Sequence, residues 1–540
     1  MYENPPKATS IKWNNADLEL KDGAGREIFE FKPEQATADT VPLAVTAEAG
    51  ANVKYIVNNG TPVPPAVLNP SVTLKPNVEN KIQIVVSLNA EPDAKTIYTI
   101  IVKGMTKQMM PFASWGRAKV VVTEKGKTDE LDKTAFEALS GNTDITVKVS
   151  KVSDWVLPAK ILVNGEEKAT ASAGATELSV NAKANDYIEC VMQLQKKAED
   201  MVKVIDATTT ITGKTGEFLK TKPDSTNYDY AGVFGKDRNV SLSAYSLGKT
   251  ELPYALWYEV YYWATKLAPA SQKYTIGAAT EGGVGTPGKD PDTTKKLPAA
   301  GISWNNAVVW CNAYNEMLDH NTDNVCYLKS ETDTTPIRNV SEAGTSYFEK
   351  TKKGFRLPTE AEWEFAARYA KTAGDNTEAY GSVNLSKLWS VSGAKYPAPM
   401  NSLPATEYSE ETYENTLIPE TNTYASYKIY WKKSGGIGPA NRTPTGITAI
   451  QEVETNTANA VGLYNMSGNV AELCYDINEK IATGDVTDPI RGNNSATGGT
   501  AHIVRGGAYN SFVWNLLTGL RLPATLLNQA TYGLRLACYE

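Results

Sequence analysis

Histidine is almost missing from this chain: of 540 residues, only His320 and His502 carry an imidazole. No three-histidine metal centre can be assembled within one chain, which excludes the usual non-haem iron and zinc catalytic sets. Cysteine is scarce as well. Cys190, Cys311, Cys326, Cys474 and Cys538 include no CxxC pair, so most of them read as small buried hydrophobes. No uninterrupted apolar run approaches the roughly 20 residues that a membrane helix needs. Charge of neither sign is concentrated. The 54 Lys and Arg against 61 Asp and Glu give a net charge of -7, and the basic residues are scattered, so no stripe suggests a nucleic-acid partner. The opening Met-Tyr-Glu-Asn-Pro-Pro lacks the basic-then-apolar pattern of a secretory leader. The protein is either cytosolic or its leader lies outside this chain.

What is present points to several domains, since 540 residues at 41% hydrophobic content exceed one core and suggest about three. The first 215 or so residues read as β structure. Val53–Val57, Lys81–Val86 and Thr96–Val102 are β-branched and aromatic-rich runs broken by Gly, Pro and Asn. A second set follows about a hundred residues later. Ala159–Val163 runs into Asn164-Gly165, a hairpin signal, and Glu177–Val180 and Tyr187–Met192 echo the later strands. The pattern predicts two tandem all-β sandwiches, 1–106 and 107–218, with a hinge near Gly104–Pro111. Neither contains a cluster of catalytic residue types, so both read as spacers. The first resembles the cadherin-like sandwich modules of bacterial surface proteins in its Tyr98-Thr-Ile-Ile-Val102 ending.

From about Asn227 the texture changes. Leu252–Ala264 is predicted helical, with Pro253 near its first turn and Leu256, Val260 and Trp263 on one side. Ser303–Met317 is a second predicted helix, carrying Ala307, Val308, Cys311 and Tyr314 inward. In Gly354-Phe-Arg-Leu-Pro-Thr-Glu-Ala-Glu-Trp-Glu-Phe-Ala-Ala-Arg368, Thr359 stands where an N-cap belongs and Glu362 can close a capping box. Trp363, Ala366 and Ala367 then share one face. Gly277–Leu297 and Lys371–Ala460 are long and aperiodic, the mark of functional or surface insertions.

Four ordered segments carry a family resemblance: Ile302–Asn312, Gly354–Arg368, Gly462-Leu-Tyr-Asn-Met-Ser-Gly-Asn-Val-Ala-Glu472, and Arg505-Gly-Gly507 followed by Gly533-Leu-Arg-Leu-Ala537. Together they resemble the formylglycine-generating-enzyme/sulfatase-modifying-factor family, a variant of the C-type lectin fold, over roughly Asn227 to Glu540. The expected architecture is therefore two all-β sandwiches followed by an α+β C-type-lectin-like domain, 219–540. The resemblance allows a disulfide from the long helix to the last strand. Cys311 occupies the helix position, but the strand position holds Leu536, leaving Cys538 two residues on; buried free thiols are the competing reading.

The family's enzymes place two cysteines shortly after a Gly-Gly-Ser-Tyr-like turn, where they hold copper(I) and convert a substrate cysteine to formylglycine. Soft thiolates suit that metal and hydroxyls do not. Here the turn is Gly506-Gly-Ala-Tyr509 and those positions hold Ser511 and Leu516, so no formylglycine-generating activity and no catalytic residues are expected. The ergothioneine-type sulfoxide synthases, another branch, need iron-binding histidines that are missing. The resemblance also implies a structural calcium on the Gly-Asn-x-Trp-Glu-Trp loop, here Gly468, Asn469, Val470 and Glu472 with Ala471 and Leu473 in place of the tryptophans. Oxygen donors from a tight loop suit a hard cation; pairing of Glu472 with Arg505 or Arg535 is the competing reading. No cofactor is required on either.

The tail departs furthest from the family. Tyr509–Tyr532 spans 24 residues, and at the chain-wide 21% charged it should carry about five charges; it carries one, Arg521. Leu516, Leu517, Leu520 and Leu522 could pack inward, whereas Pro523–Tyr532 has turn-like composition. Proteins diversified by retroelements display a variable patch between an Arg-Gly-Gly turn and a closing Gly-Phe-Arg-Leu strand, and this segment resembles theirs. The implied ligand-binding set is Tyr509, Asn510, Ser511, Phe512, Asn515, Leu517, Leu522, Thr525, Leu526, Leu527, Asn528, Gln529, Thr531 and Tyr532. Aromatic and aliphatic side chains would supply contact area there, and Asn, Ser and Thr adaptable hydrogen bonds. The expected partner is a protein or other macromolecule, met at a bacterial cell surface. A calcium-dependent carbohydrate-binding lectin and an enzyme of the same superfamily with a non-cysteine site are the alternatives.

Overall fold

The computed structural model describes residues 5–38, 40–60, 62, 71–75, 78–88, 93–104, 110–195, 200–214, 232–235, 237–394, 425, 429–431, 442–444, 446–492, 501–511, 513–524 and 529–540. The described chain is mostly β with few helices, and it divides into two compact units. One comprises residues 1–152 and 157–193, the other 153–156 and 194–540. Among the described residues no helix is long and apolar enough to cross a membrane.

In the first unit, strands alternate inward and outward residues as half-buried strands do. Glu79–Leu88 and Lys95–Lys103 pair antiparallel and bury Ile82, Ile84, Val86, Tyr98, Ile100 and Val102. With Glu30–Phe31 and Ala51–Val57 they make a four-stranded sheet. That sheet shares one apolar cluster with Ile11, Trp13 and Leu43, which come from Ala8–Trp13 and Thr40–Ala47. Further along, Ala118–Glu124, Asp144–Lys151 and Glu177–Lys183 form a sheet of their own. A short helix α1, Lys133–Glu137, is capped by Asp132. Val156–Val163 turns back into Glu166–Thr170 through Asn164 and Gly165, both left-handed (φ 56° and 82°). That is the two-residue turn whose twist matches the strands. The hinge expected at Gly104–Pro111 falls largely on 105–109, outside the described residues.

Among its described residues the second unit holds three longer helices. α2, Tyr254–Tyr262, begins after Pro253 at its N-cap and continues into a π-helical turn, Trp263–Leu267. α3, Trp304–Asp319, is capped by Ser303 and closed by left-handed His320. α4, Glu360–Arg368, carries the expected capping box between Thr359 and Glu362. Every residue of α4 is buried, its carboxylates included, so it is a core helix and not a surface amphipathic one. Ala471–Ile477 pairs with His502–Arg505 on one side and Tyr532–Gly533 on the other, and Leu522–Pro523 flanks His502–Arg505.

Met201–Ile205 and Thr209–Thr212, expected in the second sandwich, pair instead with Tyr245–Gly248 and Asn239–Leu242 of this unit. The C-terminal unit therefore begins near residue 194 and not at 219. Cys311 is a buried free thiol, so the bridge to Cys538 is not formed.

Candidate functional site

The tail is organised by its glycine turn. Gly506 and Gly507 are left-handed (φ 81° and 66°), and a Cβ on Gly507 would stand 2.7 Å from the Asn515 carbonyl oxygen. Gly468 N–H donates to Gly506 O (2.7 Å) and Tyr509 N–H to Asn469 O (2.8 Å), which laces the turn to the 468–470 loop. Ser511, in a position where the family's enzymes have cysteine, is 4% exposed and its Oγ accepts from Ala508 N–H at 3.0 Å. Leu516, in the other position, is fully buried. Neither side chain can hold a soft metal.

Between the two exposed parts of the tail runs a pinned interior stretch. Leu516, Leu517, Leu520 and Leu522 are buried. Thr518 and Gly519 donate their N–H groups to Ser390 O and Leu388 O, each at 2.8 Å, and Ser467 Oγ donates to Leu516 O at 2.9 Å. Arg521 turns inward to Glu360 (2.6 and 3.0 Å). Arg505 and Arg491 reach the same carboxylate, and Arg505 also donates to Leu520 O and to Glu364. Arg368 closes on Glu364 at 2.6 Å, and Arg356 on Glu362 through two bonds of 2.7 Å. Burial alone would raise the Glu360 carboxyl, but Arg521, Arg491 and Arg505 outweigh it and hold it down to about 2. Beside it, burial pushes Asp476 up to about 6, with Arg491 opposing and Glu360 adding to the rise.

This arrangement corrects part of the expected ligand-binding set. Ser511, Leu517, Leu522, Thr531 and Tyr532 are buried and face the interior. Tyr532 pairs with Ala471 and donates its hydroxyl to Ala524 O. Asn510 and Gln529 are exposed, and Tyr509 and Asn515 half-buried. Phe512 and Thr525, Leu526, Leu527 and Asn528 lie outside the described residues.

Around the exposed positions stand residues that sequence reasoning missed. Tyr509 packs on a small cluster of Ala300, Ile450 and Val470. The hairpin tip Glu281-Gly-Gly-Val-Gly285 comes alongside: a Cβ on Gly283 would lie 2.8 Å from Ile450 and 3.2 Å from the exposed Ala530's carbonyl oxygen. At that tip Val284 is 67% exposed. Its signal was the Gly-Gly-Val-Gly run inside the segment already marked as an insertion. From the other insertion, the strand Ile429–Trp431 lies against Val513–Leu516.

The expected calcium loop is built differently. The Glu472 carboxylate accepts from Arg535 Nη2 (2.7 Å) and Nε (3.0 and 3.1 Å), and from Trp363 Nε1 (2.7 Å). Asn469 Oδ1 accepts from Gln451 N–H at 2.8 Å. The carboxylate is thus committed to a guanidinium and an indole, and a cation at this loop would have to compete with both for it. Val470 packs in the apolar cluster and Gly468 serves the turn. Nearby, Asn465 Nδ2 donates to Glu251 Oε2 at 3.1 Å, while Glu251 Oε1 and Asn465 Oδ1 lack donors. Burial, opposed by Arg535, pushes Glu251 up to about 8.

The chain is similar to known proteins of three kinds. A curated relative described as chaperone protein LppX, from Paenibacillus barcinonensis, is 24% identical over 242 residues, 44% of this chain. The chain spans 65% of that relative's length. Treponema denticola variable protein 1 is 22% identical and is matched over 62% of this chain and 95% of its own, with a TM-score of 0.35. A structure described as CarF is 20% identical, over 62% of this chain and 99% of its own, with a TM-score of 0.34. The model of the sulfatase-modifying factor enzyme 1-like domain matches residues 195–538, starting where the strand pairing places the start of the second unit. That match covers more than half of the chain and takes in the glycine turn, the capped α4 and the closing strand. The chain belongs to the formylglycine-generating-enzyme/sulfatase-modifying-factor family.

Proposed function

We propose that this protein is a non-catalytic display protein of its family, recognising a protein or other macromolecule through two loops at the end of the chain. The observation that carries this reading is the partition of the tail. Tyr509, Asn510 and Asn515 lie on one side of the pinned 516–522 stretch and Gln529 and Ala530 on the other, with Val284 beside them. Exposed side chains there rest on a frame fixed by glycines, leucines and the Arg521–Glu360 pair, so little ordering is needed on binding. The face is poor in charge and rich in amide and aromatic groups, which suits contact by shape. The sulfur positions of the family's enzymes hold Ser511 and Leu516, which supports a role other than oxidation. The N-terminal sheets support a spacer of two sandwiches, the second ending near 195, carrying this domain at a bacterial surface.

We further read the exposed positions as sites of retroelement-driven diversification. Sequencing the 3′ end of the gene across isolates tests this directly. Changes are expected at 509, 510, 515 and 529 and not at 516–522; identical codons throughout Tyr509–Tyr532 would remove the idea. Incubating the protein with copper(I), oxygen and a cysteine-containing sulfatase peptide tests the absence of catalysis. The peptide mass is expected to stay unchanged, and conversion of its cysteine to formylglycine would sink the non-enzymatic reading.

A further inference from the structure

The side chain that the family resemblance gives to calcium is already neutralised from within. Glu472 is 1% exposed and Arg535 fully buried, so both ions are removed from water and each depends on the other. The guanidinium does more than pair with the carboxylate. Beyond its bonds to Glu472, Arg535 donates through Nη1 to Gly248 O at 2.7 Å and through Nη2 to Tyr464 O at 2.6 Å. One positive group therefore gathers a carboxylate and two main-chain carbonyls from two regions far apart in sequence, Gly248 and the 464–472 segment. A hard cation in a structural site gathers the same kinds of oxygen. A calcium ion competing for Glu472 would have to sit beside a buried positive charge or displace it, together with the indole of Trp363.

We propose that the Arg535 guanidinium is the resident cation of this loop, and that the C-terminal unit folds and holds its tail without calcium. Arg535 belongs to the closing strand region, Glu472 to Ala471–Ile477, and Gly248 to Tyr245–Gly248. The arginine thus ties the end of the chain to the loop that supports Tyr509, a task that a bound ion would otherwise perform. The planar fork matters, because an ammonium has no equivalent set of fixed donors.

The test uses the full chain and calcium itself as the probe. Thermal unfolding after dialysis against EDTA, and again after adding millimolar calcium, is expected to give the same Tm. Elemental analysis of calcium-treated protein after gel filtration is expected to find well below one calcium per chain. A saturable rise in Tm together with one calcium per chain would overturn the proposal. The variant Arg535→Lys is expected to lose several degrees equally in EDTA and in calcium. Restoration of its Tm by calcium alone would also overturn the proposal, since the loop would then be a cation site that arginine does not own. Should that variant not fold, the two measurements on the natural chain decide the matter.

Discussion

Arg521 donates to Glu360 from within the tail, through Nε at 2.6 Å and Nη2 at 3.0 Å, across 161 residues of sequence. The one charge in Tyr509–Tyr532 is therefore an internal anchor and not part of the recognition face. Truncating it in Arg521→Ala leaves Glu360 with Arg491 and Arg505 but removes its bidentate partner. Losing one member of a buried pair costs about 3 kcal/mol or more, and urea unfolding should show it as a lowered midpoint. Asn510→Ala, on the exposed loop, should stay within about 0.5 kcal/mol. Equal behaviour of the two variants would contradict the partition of the tail.

Acid should weaken the same anchor. Three arginines hold the Glu360 carboxyl down to about 2 in the folded chain, against an ordinary value of 4.5. On acidification the unfolded chain takes up this proton first. The stabilisation is complete above about pH 4.5 and is lost as the pH falls toward 2. Urea midpoints at about pH 6 and about pH 3 should therefore differ strongly for the natural chain. In Glu360→Gln the midpoint should be lower at the higher pH, and its fall between the two conditions smaller.

Glu251 works in the opposite sense. Burial, opposed by Arg535, raises its carboxyl to about 8, so it holds a proton at neutral pH. That proton keeps the buried group neutral beside Asn465, whose Nδ2 donates to Glu251 Oε2. Because the folded value lies above the unfolded one, stability is complete below about pH 4.5 and is lost as the pH rises through about 8. Glu251→Gln is neutral at every pH. Its Tm should fall less than that of the natural chain between neutral and alkaline buffer, and parallel curves would exclude the protonated pair.

How far the sequence revealed this arrangement depends on how local each cause is. The capping box joins Thr359 to Glu362, and both of its bonds span three residues; reading the sequence found it. The Asn164-Gly165 turn was legible for the same reason. Of the charged residues of α4, Glu360 and Glu364 meet Arg521, Arg491 and Arg505 from more than a hundred residues away, so the helix's own pattern could not show that they are buried. Leu517 and Leu522 enter the ligand-binding set through the resemblance, while their residue type also allows inward packing, and their burial decides for packing. Glu472 offered two partners in the sequence, Arg505 and Arg535; both segments flank its strand, and Arg535 takes the carboxylate because Arg505, although opposite it in register, turns to Glu360 and Glu364. The start of the second unit was misplaced because Met201–Ile205 reads as a sandwich strand; its pairing with Tyr245–Gly248 is a long-range choice.

Gly507 offers the sharpest test of how the glycine turn positions the loop that follows it. Its φ of 66° favours glycine, although asparagine also tolerates that region. The second constraint is steric: a Cβ would sit 2.7 Å from the Asn515 carbonyl oxygen, which is backbone and cannot swing aside. Conformational strain alone would penalise Gly507→Ala by about 1–2 kcal/mol and largely spare Gly507→Asn. The close approach predicts instead that both variants lose stability, and by similar amounts, because both carry the same Cβ. Thermal unfolding of the two variants separates these cases. If Gly507→Asn keeps the natural Tm while Gly507→Ala does not, the 509–515 loop is not held against the turn by this contact, and the rigid frame proposed for the recognition face loses one of its supports.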